Sequence, residues 1–249
     1  MNKKVIVTAL GMIIVTAAGV AVAQYGGAQP SKEQVAAKQQ AVVQTTFDQL
    51  QSADGQQGSA SGSSADSPNN GLLVTGDDIR ISKQEFDFYK ANVEMVTKLN
   101  QLQQGEQVAG NMATDSSQLL NQLLKTELAV QYAKKIGITV SEQEMTQMVN
   151  TEKTRLYDAT LASEHNDQQL IQQIMAHRIQ LTGLSEQEFW KSEPIKQQYG
   201  KTIYMSKLYD ELLKKGQIDG PAAFDAFQDK LVQEQQGQYT IHTQLLNKS

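Results

Sequence analysis

Apolar residues recur every three or four positions over most of the chain, and this spacing predicts a mainly helical fold. The broadest apolar face belongs to a helix that ends at Gly137, and this helix is therefore expected to be central. Its apolar positions are Leu119, Leu120, Leu123, Leu124, Leu128, Tyr132 and Ile136. A narrower stripe from Phe86 to Leu99 predicts the helix before it. Later helices are predicted over residues 142–163, 167–181, 186–192, 194–215 and 221–236.

Alternation of apolar and polar residues predicts short strands at the two ends of this helical region. The stretch "LLVTGDDIRIS" from Leu72 has β-prone runs on both sides of Gly76, which predicts a hairpin. Near the C-terminus, "QYTIHTQLL" alternates as a strand does, with His242 on its solvent face. The residues expected on its other face are Tyr239, Ile241, Thr243 and Leu245. Because a lone strand needs a partner, the two ends are predicted to pair in a small antiparallel sheet.

Three similar motifs place a serine three residues before a glutamate that an apolar residue follows. They are "SKQEF" at Ser82, "SEQEM" at Ser141 and "SEQEF" at Ser185. The glutamates could be the acid and base of an active site, since positioned carboxylates serve that chemistry. The same spacing forms a capping box, in which the serine and the glutamate each bind the other's backbone amide at a helix start. Three separate helix starts do not converge on one pocket, so the motifs predict helix starts rather than catalysis.

The first residues predict export from the cytoplasm. Lys3 and Lys4 precede an uncharged run over residues 5–23, as in a signal segment. Cleavage after Ala23 would release a soluble product, whereas the same run is nearly long enough to stay as a membrane anchor. Residues 1–23 are therefore predicted to be a signal peptide or an anchor. The rest of the chain is expected outside the cytoplasm, at the cell membrane or secreted.

Composition divides the remaining chain into three parts. Residues 24–51 predict a marginal amphipathic helix, whose thin apolar stripe has little to bury against. Residues 52–70 are rich in Ser, Gly, Asp and Asn, and they predict a disordered linker. Residues 71–249 hold the strong helical and strand patterns, and they are predicted to form one folded domain.

Charge and cysteine content exclude several kinds of protein. The 249 residues carry a formal net charge of -5, with a pI of about 5.3. This balance argues against a protein that works by neutralising phosphates, so no nucleic-acid partner is expected. The chain has no cysteine, which excludes disulfides, thiolate nucleophiles and zinc–thiolate sites.

The three histidines are the remaining candidates for metal or acid–base chemistry. His165 lies in "EHND", which could supply metal ligands but also fits the ordinary caps of a helix junction. His177 falls within a predicted helix, too far along its axis to join His165. No serine carries a nucleophile-elbow pattern, and no Gly-rich loop follows a strand. The sequence therefore predicts no catalytic residue, no metal site and no cofactor.

Methionine and aromatic side chains on the later helices admit two interpretations. They could pack in the core, where such residues usually lie. They could instead line an apolar groove for varied partners, because methionine is flexible and polarizable. The candidate groove residues are Met145, Met148, Met175, Phe189, Trp190, Tyr199 and Met205. The pattern alone leaves core and groove open.

The order of elements resembles the N-terminal chaperone domain of the SurA and PrsA families of extracytoplasmic folding factors. The resemblance lies in the hairpin with its "SKQEF" helix start, in "LLNQLLKTELAVQYAKKIGITVSEQEMTQMV" and in "GLSEQEFW", and it covers residues 72–246. In that family a C-terminal helix and strand return to the N-terminal strand. Members with prolyl isomerase activity carry a parvulin domain before the returning helix, whereas "LLKKGQIDGP" here joins the two helices directly.

The resemblance implies a chaperone domain without the catalytic domain. We expect a holdase that binds unfolded, extended or translocating polypeptides outside the cytoplasm, without ATP. Two alternatives remain from the sequence: a dedicated interaction subunit for one envelope protein, and an enzyme with residual peptidyl-prolyl isomerase activity. An uncleaved N-terminal segment would add the membrane as a partner.

Overall fold

The computed structural model describes residues 31–58, 71–104, 115–158 and 168–246, which form eight α-helices and three short strands. The helices are α1 (Lys32–Gly58), α2 (Lys83–Gln104), α3 (Ser116–Lys135), α4 (Glu142–Tyr157), α5 (Gln168–Thr182), α6 (Glu186–Lys191), α7 (Glu193–Lys214) and α8 (Pro221–Glu234). The strands are β1 (Leu72–Gly76), β2 (Arg80–Ser82) and β3 (Tyr239–Ile241), and a 3-10 turn over Thr243–Leu245 follows. The prediction of a mainly helical fold with a small antiparallel sheet is confirmed.

The serine–glutamate motifs each begin a helix, as the sequence predicts. At the start of α4, the Ser141 hydroxyl accepts from the Glu144 amide at 3.2 Å, and the Ser141 amide donates to the Glu144 carboxylate at 2.9 Å. Ser185 and Glu188 form the same capping box at the start of α6. The third motif caps α2 through its serine hydroxyl. These bonds satisfy amides that a helix start would otherwise leave unpaired.

Helix α3 ends where the sequence predicts. Gly137 has a φ of +86°, a conformation that favours glycine, and the Ile138 amide donates to the Ala133 carbonyl at 2.9 Å. Lys134 and Lys135 in the last turn place positive charge at the negative end of the helix dipole. The helix end is thus determined by local interactions.

The three strands form one antiparallel sheet in the order β2-β1-β3. The hairpin joins β1 to β2, and Val74 of β1 lies opposite Ile241 of β3. Gly76 lies opposite Tyr239, and a Cβ at Gly76 would come within 2.8 Å of the Gln238 carbonyl oxygen. A larger residue there would push β3 away from β1. The predicted pairing between the two ends of the domain is confirmed.

Strand β3 is shorter than predicted, and its side chains are placed differently. Ile241 is exposed, although the alternation places it on the buried face. His242 is predicted to face solvent, but its imidazole Nε2 lies 3.1 Å from the Thr75 hydroxyl. The His242 amide donates to the Leu73 carbonyl, close to the first residue of β1. Beyond this point β1 provides no further partner, so the chain forms a 3-10 turn and the predicted strand through Leu245 is wrong.

The main core lies between the sheet, the start of α2, and helices α3, α7 and α8. Helix α3 supplies its centre, where Leu128, Ala129 and Ala133 are fully buried. Leu208 and Leu212 of α7 are also fully buried in this core. Helix α3 contacts both α7 and α8. The prediction that α3 is the central helix is confirmed.

Helix α1 packs against α2 and α5. Its Val43 and Phe47 are 1% and 3% exposed, in a cluster with Met95, Leu99 and Leu170. Full burial of one such side chain contributes about 1.5–3 kcal/mol. The prediction that this helix has little to bury against is wrong. A thin apolar stripe is enough because α2 and α5 together supply an apolar groove that faces it.

Several predicted segments fall wholly or partly outside the described residues. Residues 52–58, assigned to a linker from composition, form the end of α1, whereas residues 59–70 are not described. The helix predicted over residues 142–163 is described as far as Tyr157. The predicted export segment over residues 1–23 also lies outside the described ranges. Within those ranges, no helix is long and apolar enough to cross a membrane.

The capping box of α4 should make the stability of the fold depend on pH through Glu144. The Lys207 ammonium of α7 lies 2.5 Å from the Glu144 carboxylate. This contact, together with the bonds to Ser141, lowers the pKa of Glu144 to about 2. Because the folded pKa is below the ordinary value of 4.5, Glu144 stabilises the fold above about pH 4.5, and the contribution is lost as the pH falls toward 2.

We expect Glu144→Gln to lower the urea midpoint of unfolding at neutral pH. The difference from wild type should shrink steadily from about pH 5 to about pH 2, because the carboxylate becomes protonated in the unfolded chain first. Glu33→Gln, at an exposed first-turn position of α1, is the matched control and should shift the midpoint little. A difference between Glu144→Gln and wild type that does not depend on pH would contradict this assignment.

Candidate functional site

The candidate groove residues do not line one surface. Four of them, Met175, Phe189, Trp190 and Tyr199, are buried together in a second core between α4, α5, α6 and α7. Met148 packs against the same cluster and is partly exposed. The Phe189 and Trp190 rings meet edge to face, with centroids 5.4 Å apart. The four buried side chains are not accessible in this conformation, so they correspond to the core interpretation and not to the groove.

The two remaining candidates lie elsewhere. Met145 of α4 lies against Gly200 of α7, where a Cβ would come within 2.8 Å of the methionine sulfur. Met205 packs against the main core. The absence of a side chain at Gly200 therefore gives Met145 its space, and neither methionine continues a groove along the second core.

Buried polar groups lie beside the second core. Burial lowers the pKa of the Arg178 guanidinium, which nevertheless stays charged at neutral pH. Burial, followed by the nearby charge of Glu152, raises the pKa of the Tyr199 phenol. The guanidinium lies 5.3 Å from the centroid of the Phe88 ring. At neutral pH the guanidinium is charged, the phenol is neutral, and the nearby Glu152 carboxylate pairs with Arg155 at 3.1 Å.

The histidines take structural positions where they are described. His177 of α5 stacks on Phe47 of α1, with ring centroids 5.2 Å apart. His242 lies within hydrogen-bonding distance of Thr75, and His165 is outside the described residues. Among the described residues, no group of three or more His, Asp and Glu side chains could hold a metal ion.

A row of aromatic rings lies partly exposed over the main core, where α3, α7 and α8 meet. Tyr132 contacts Phe227 edge to face at 5.2 Å between centroids, and Phe224 contacts Tyr209 in the same manner at 5.3 Å. The two phenylalanines are nearly parallel, with centroids 6.3 Å apart. All four side chains are partly exposed and pack against the main core. We call Tyr132, Tyr209, Phe224 and Phe227 the aromatic row.

Two exposed aliphatic side chains extend the aromatic row. Ile136 and Leu213 are each 37% exposed, and they follow Tyr132 and Tyr209 by four residues. Residues four apart lie on the same face of a helix, one turn apart. The Ile136 amide still donates to the Tyr132 carbonyl, so it belongs to this last turn. The aromatic row therefore continues as an apolar surface toward the C-terminal ends of α3 and α7.

None of the four residues of the aromatic row is among the groove residues predicted from the sequence. Phe224 and Phe227 stand three residues apart near the start of α8, which places them on one helix face. That spacing is the signal by which they could have been found. The sequence does not show which rings meet them, because this depends on how α8 returns to α3.

A buried lysine holds α8 against α3. The Lys125 side chain is 7% exposed, and its ammonium lies 3.0 Å from the Asp225 carboxylate and 2.7 Å from that of Asp229. Burial by itself lowers the pKa of Lys125, but the two hydrogen-bonded carboxylates outweigh it, so the pKa is raised. The two aspartates share α8 with Phe224 and Phe227. This interaction therefore positions half of the aromatic row.

Removal of both carboxylates should cost more than removal of the lysine. We expect Asp225→Asn/Asp229→Asn to lower the free energy of unfolding by about 2–3 kcal/mol, because the buried ammonium loses both counter-charges. Lys125→Met leaves two carboxylates that are 59% and 44% exposed, so its effect should stay within about 1 kcal/mol. Lys230→Met, at an exposed ion pair of α8, is the control for surface charge. Urea unfolding measures all three, and an equal loss in the first two variants would contradict this account.

The fluorescence of Trp190 tests whether this side chain lies in a core or in an accessible groove. It is the one tryptophan of the chain, and it is 5% exposed. We expect its fluorescence in the folded protein to be quenched by acrylamide several-fold less than in the urea-unfolded chain, because the quencher must contact the indole. Equal quenching in the two states would show an accessible tryptophan and restore the groove interpretation.

Comparison of the chain with protein-family models, with curated proteins and with solved structures finds no match. The described residues show a mainly helical fold with a three-stranded antiparallel sheet, and a second core that contains four of the predicted groove residues. They also show a partly exposed aromatic row. The resemblance to the SurA and PrsA families stays a prediction from the sequence.

Proposed function

We propose that this chain is a non-catalytic holdase that binds unfolded or translocating polypeptides outside the cytoplasm. It would be a chaperone domain of the SurA and PrsA type without a parvulin domain. The observation that carries the proposal is the aromatic row, in which four rings in mutual contact stay partly exposed over the main core. Contiguous apolar patches on a protein surface commonly mark binding sites.

The aromatic row suits apolar segments of varied sequence. Each ring is held on one side by the main core and by a neighbouring ring, so the open sides of the rings keep a fixed shape. Rings that are already held lose little side-chain freedom when a partner binds. They offer large contact areas to aliphatic and aromatic partners alike. Such contacts are reversible and need no nucleotide.

The connection between α7 and α8 supports a domain without a catalytic insertion. Residues 215–220 alone separate the two helices, and Ile218 among them is buried in the main core. In the SurA and PrsA families the parvulin domain stands before the returning helix. Under this proposal, helix α8 and strand β3 would correspond to that returning helix and strand.

Export is proposed from the sequence alone. Lys3 and Lys4 ahead of the uncharged residues 5–23 have the order of a signal or anchor segment. The proposed site of action is therefore the outer side of the cell membrane, or the medium beyond it. A holdase in either place would meet polypeptides as they emerge from translocation.

The test measures aggregation of a chemically unfolded client by light scattering, after dilution into a several-fold molar excess of the full chain. We expect the wild-type chain to delay aggregation of several unrelated clients. Phe224→Ser/Phe227→Ser should lose most of the delay, because half of the aromatic row is removed. Leu184→Ser removes an apolar side chain that is 40% exposed outside the row, and as the matched control it should keep the delay.

Each negative result points to a different error. No delay by the wild-type chain with any client would contradict the proposed function. A full delay by the Phe224→Ser/Phe227→Ser variant, with an unchanged circular dichroism spectrum, would place client binding elsewhere. One stoichiometric partner in a pull-down, without general client binding, would favour the dedicated interaction subunit. Acceleration in a protease-coupled prolyl peptide assay would favour the isomerase.

A further inference from the structure

Helix α1 fills an apolar groove between α2 and α5. Val43 and Phe47 are the buried residues that α1 contributes, and Val42 and Leu50 pack beside them. The facing side chains of α2 are Phe88, Met95 and Leu99, and those of α5 are Leu170, Ile174 and Leu181. Phe47 is 3% exposed and stacks on the His177 ring at 5.2 Å between centroids.

The contacts that hold α1 in this groove are apolar. The side-chain hydrogen bonds of its described residues connect α1 with itself or with Ser31 at its start. Thr46, which is buried, donates to the Val42 carbonyl one turn earlier. Among the described side chains of α1, none is hydrogen-bonded to α2 or α5, so these side chains can leave the groove, and those of another helix can replace them, without the loss of such a bond.

The apolar side chains of α1 follow the spacing by which a single helix binds a groove. Val43, Phe47 and Leu50 stand at positions i, i+4 and i+7, which places them on one face. Neighbouring outward positions such as Gln40 and Gln44 are exposed. The groove thus accepts a pattern of three apolar side chains, with Val42 beside them, and Gln39 and Thr46 are the polar side chains of α1 that are buried with this face.

Helix α1 is joined to β1 by residues 59–70, which are rich in serine. A short linker keeps a tethered segment near its site at an effective concentration on the order of millimolar. A ligand enters the groove only if its concentration and affinity outweigh the effective concentration of the tethered α1. The occupied state is therefore the resting state, and a sufficiently apolar helix from a client reaches the groove only when α1 leaves.

We infer that the α2–α5 groove is a second binding site, specific for an amphipathic helix of a client polypeptide, and that α1 occupies it in cis as a displaceable competitor. This inference rests on the proposed function, because its ligand is part of a client. It is separate from the aromatic row, whose rings lie on α3, α7 and α8. The site would take helical apolar segments, whereas the aromatic row takes extended ones.

The test compares locked and open forms of the full chain. Gln51 of α1 and Gln180 of α5 are exposed and line the same small cavity, and the chain has no native cysteine. In a Gln51→Cys/Gln180→Cys variant, a short bis-methanethiosulfonate reagent joins the two thiols and locks α1 in place, and a reductant releases it. In a separate chain, Phe47→Asp opens the groove. Gln40→Asp, on the exposed face of α1, is its matched control.

The probe is a fluorescent peptide with the sequence of residues 31–58, and its binding is followed by anisotropy. We expect it to bind the Phe47→Asp chain at least about tenfold more tightly than the locked chain, because the tethered competitor is lost. The Gln40→Asp chain should behave as wild type, and a peptide that itself carries Phe47→Asp should bind neither form. Failure of the peptide to bind the Phe47→Asp chain, or equal binding to the locked and released chains, would overturn the inference.

Client binding is measured separately, so that the two proposals can fail independently. An unfolded client that competes with the peptide, and that binds the released chain better than the locked one, supports the inference. Clients that bind locked and released chains equally would overturn the inference and leave the proposed function intact. No client binding at all, with the peptide still bound, would overturn the proposed function. Dimers that disappear on locking would assign the groove to α1 of a second copy instead.

If Phe47→Asp fails to fold, hydrogen exchange of the unmodified chain tests whether α1 leaves the groove. The buried Trp190 reports folding of that variant by its emission, since it lies in the separate second core. We expect the α1 amides of the wild-type chain to exchange several-fold faster than those of α3, and the lock to slow them. Exchange of α1 as slow as that of α3 would show that α1 does not leave the groove.

Discussion

Burial of α3 is the constraint on which the rest of the structure depends. The sheet, α7 and α8 all pack around this helix, and its Leu128, Ala129 and Ala133 have no exposed surface. The two alanines leave room for close neighbours, while the leucines fill the space between the packed elements. Because the apolar face of α3 is broad, each neighbour brings an apolar face of its own to cover it. Closure of the domain by β3 against β1 completes this enclosure.

Charged side chains on α3 determine how its neighbours are placed. Lys125 connects it to two aspartates of α8, and Glu127 pairs with Lys201 of α7. Lys201 also lies 3.5 Å from Glu85 of α2, so one ammonium links three helices. Buried or partly buried ion pairs add little net stability, because desolvation offsets most of their attraction. Their effect here is to favour one arrangement of the helices over others that would bury a charge without a partner.

The distribution of apolar surface follows from this arrangement and bears on function. Phe189 and Trp190 of the short helix α6 are buried. These two large aromatic side chains therefore fill the second core and do not contribute to a surface. The main core instead leaves four rings partly exposed where α8 packs against α3 and α7. A further apolar groove, between α2 and α5, is covered by α1. The described part of the chain thus has an open apolar surface at the aromatic row and a filled one under α1, and both are compatible with the binding of polypeptide segments.

Local interactions could be predicted because they lie within a few residues of sequence. The capping boxes at Ser141 and Ser185, the helix end at Gly137 and the central place of α3 all follow from residues close to one another in the chain. Even the pairing of the two ends of the domain could be inferred, because a single terminal strand at residues 239–241 requires a partner.

Contacts between distant residues could not be predicted in this way. A stripe of valines and one phenylalanine on α1 has the same pattern whether or not another helix covers it, and only the groove of α2 and α5 makes Phe47 a buried residue. The same holds for Trp190, for the early end of β3 and for the meeting of Tyr132 with Phe227. The sequence by itself thus determined where most helices lie, the end of α3, the starts of α4 and α6, and the pairing of the two ends of the domain, because hydrogen bonds and periodicity act locally. Only the tertiary structure decided which apolar side chains stay exposed, because burial depends on what packs against each of them.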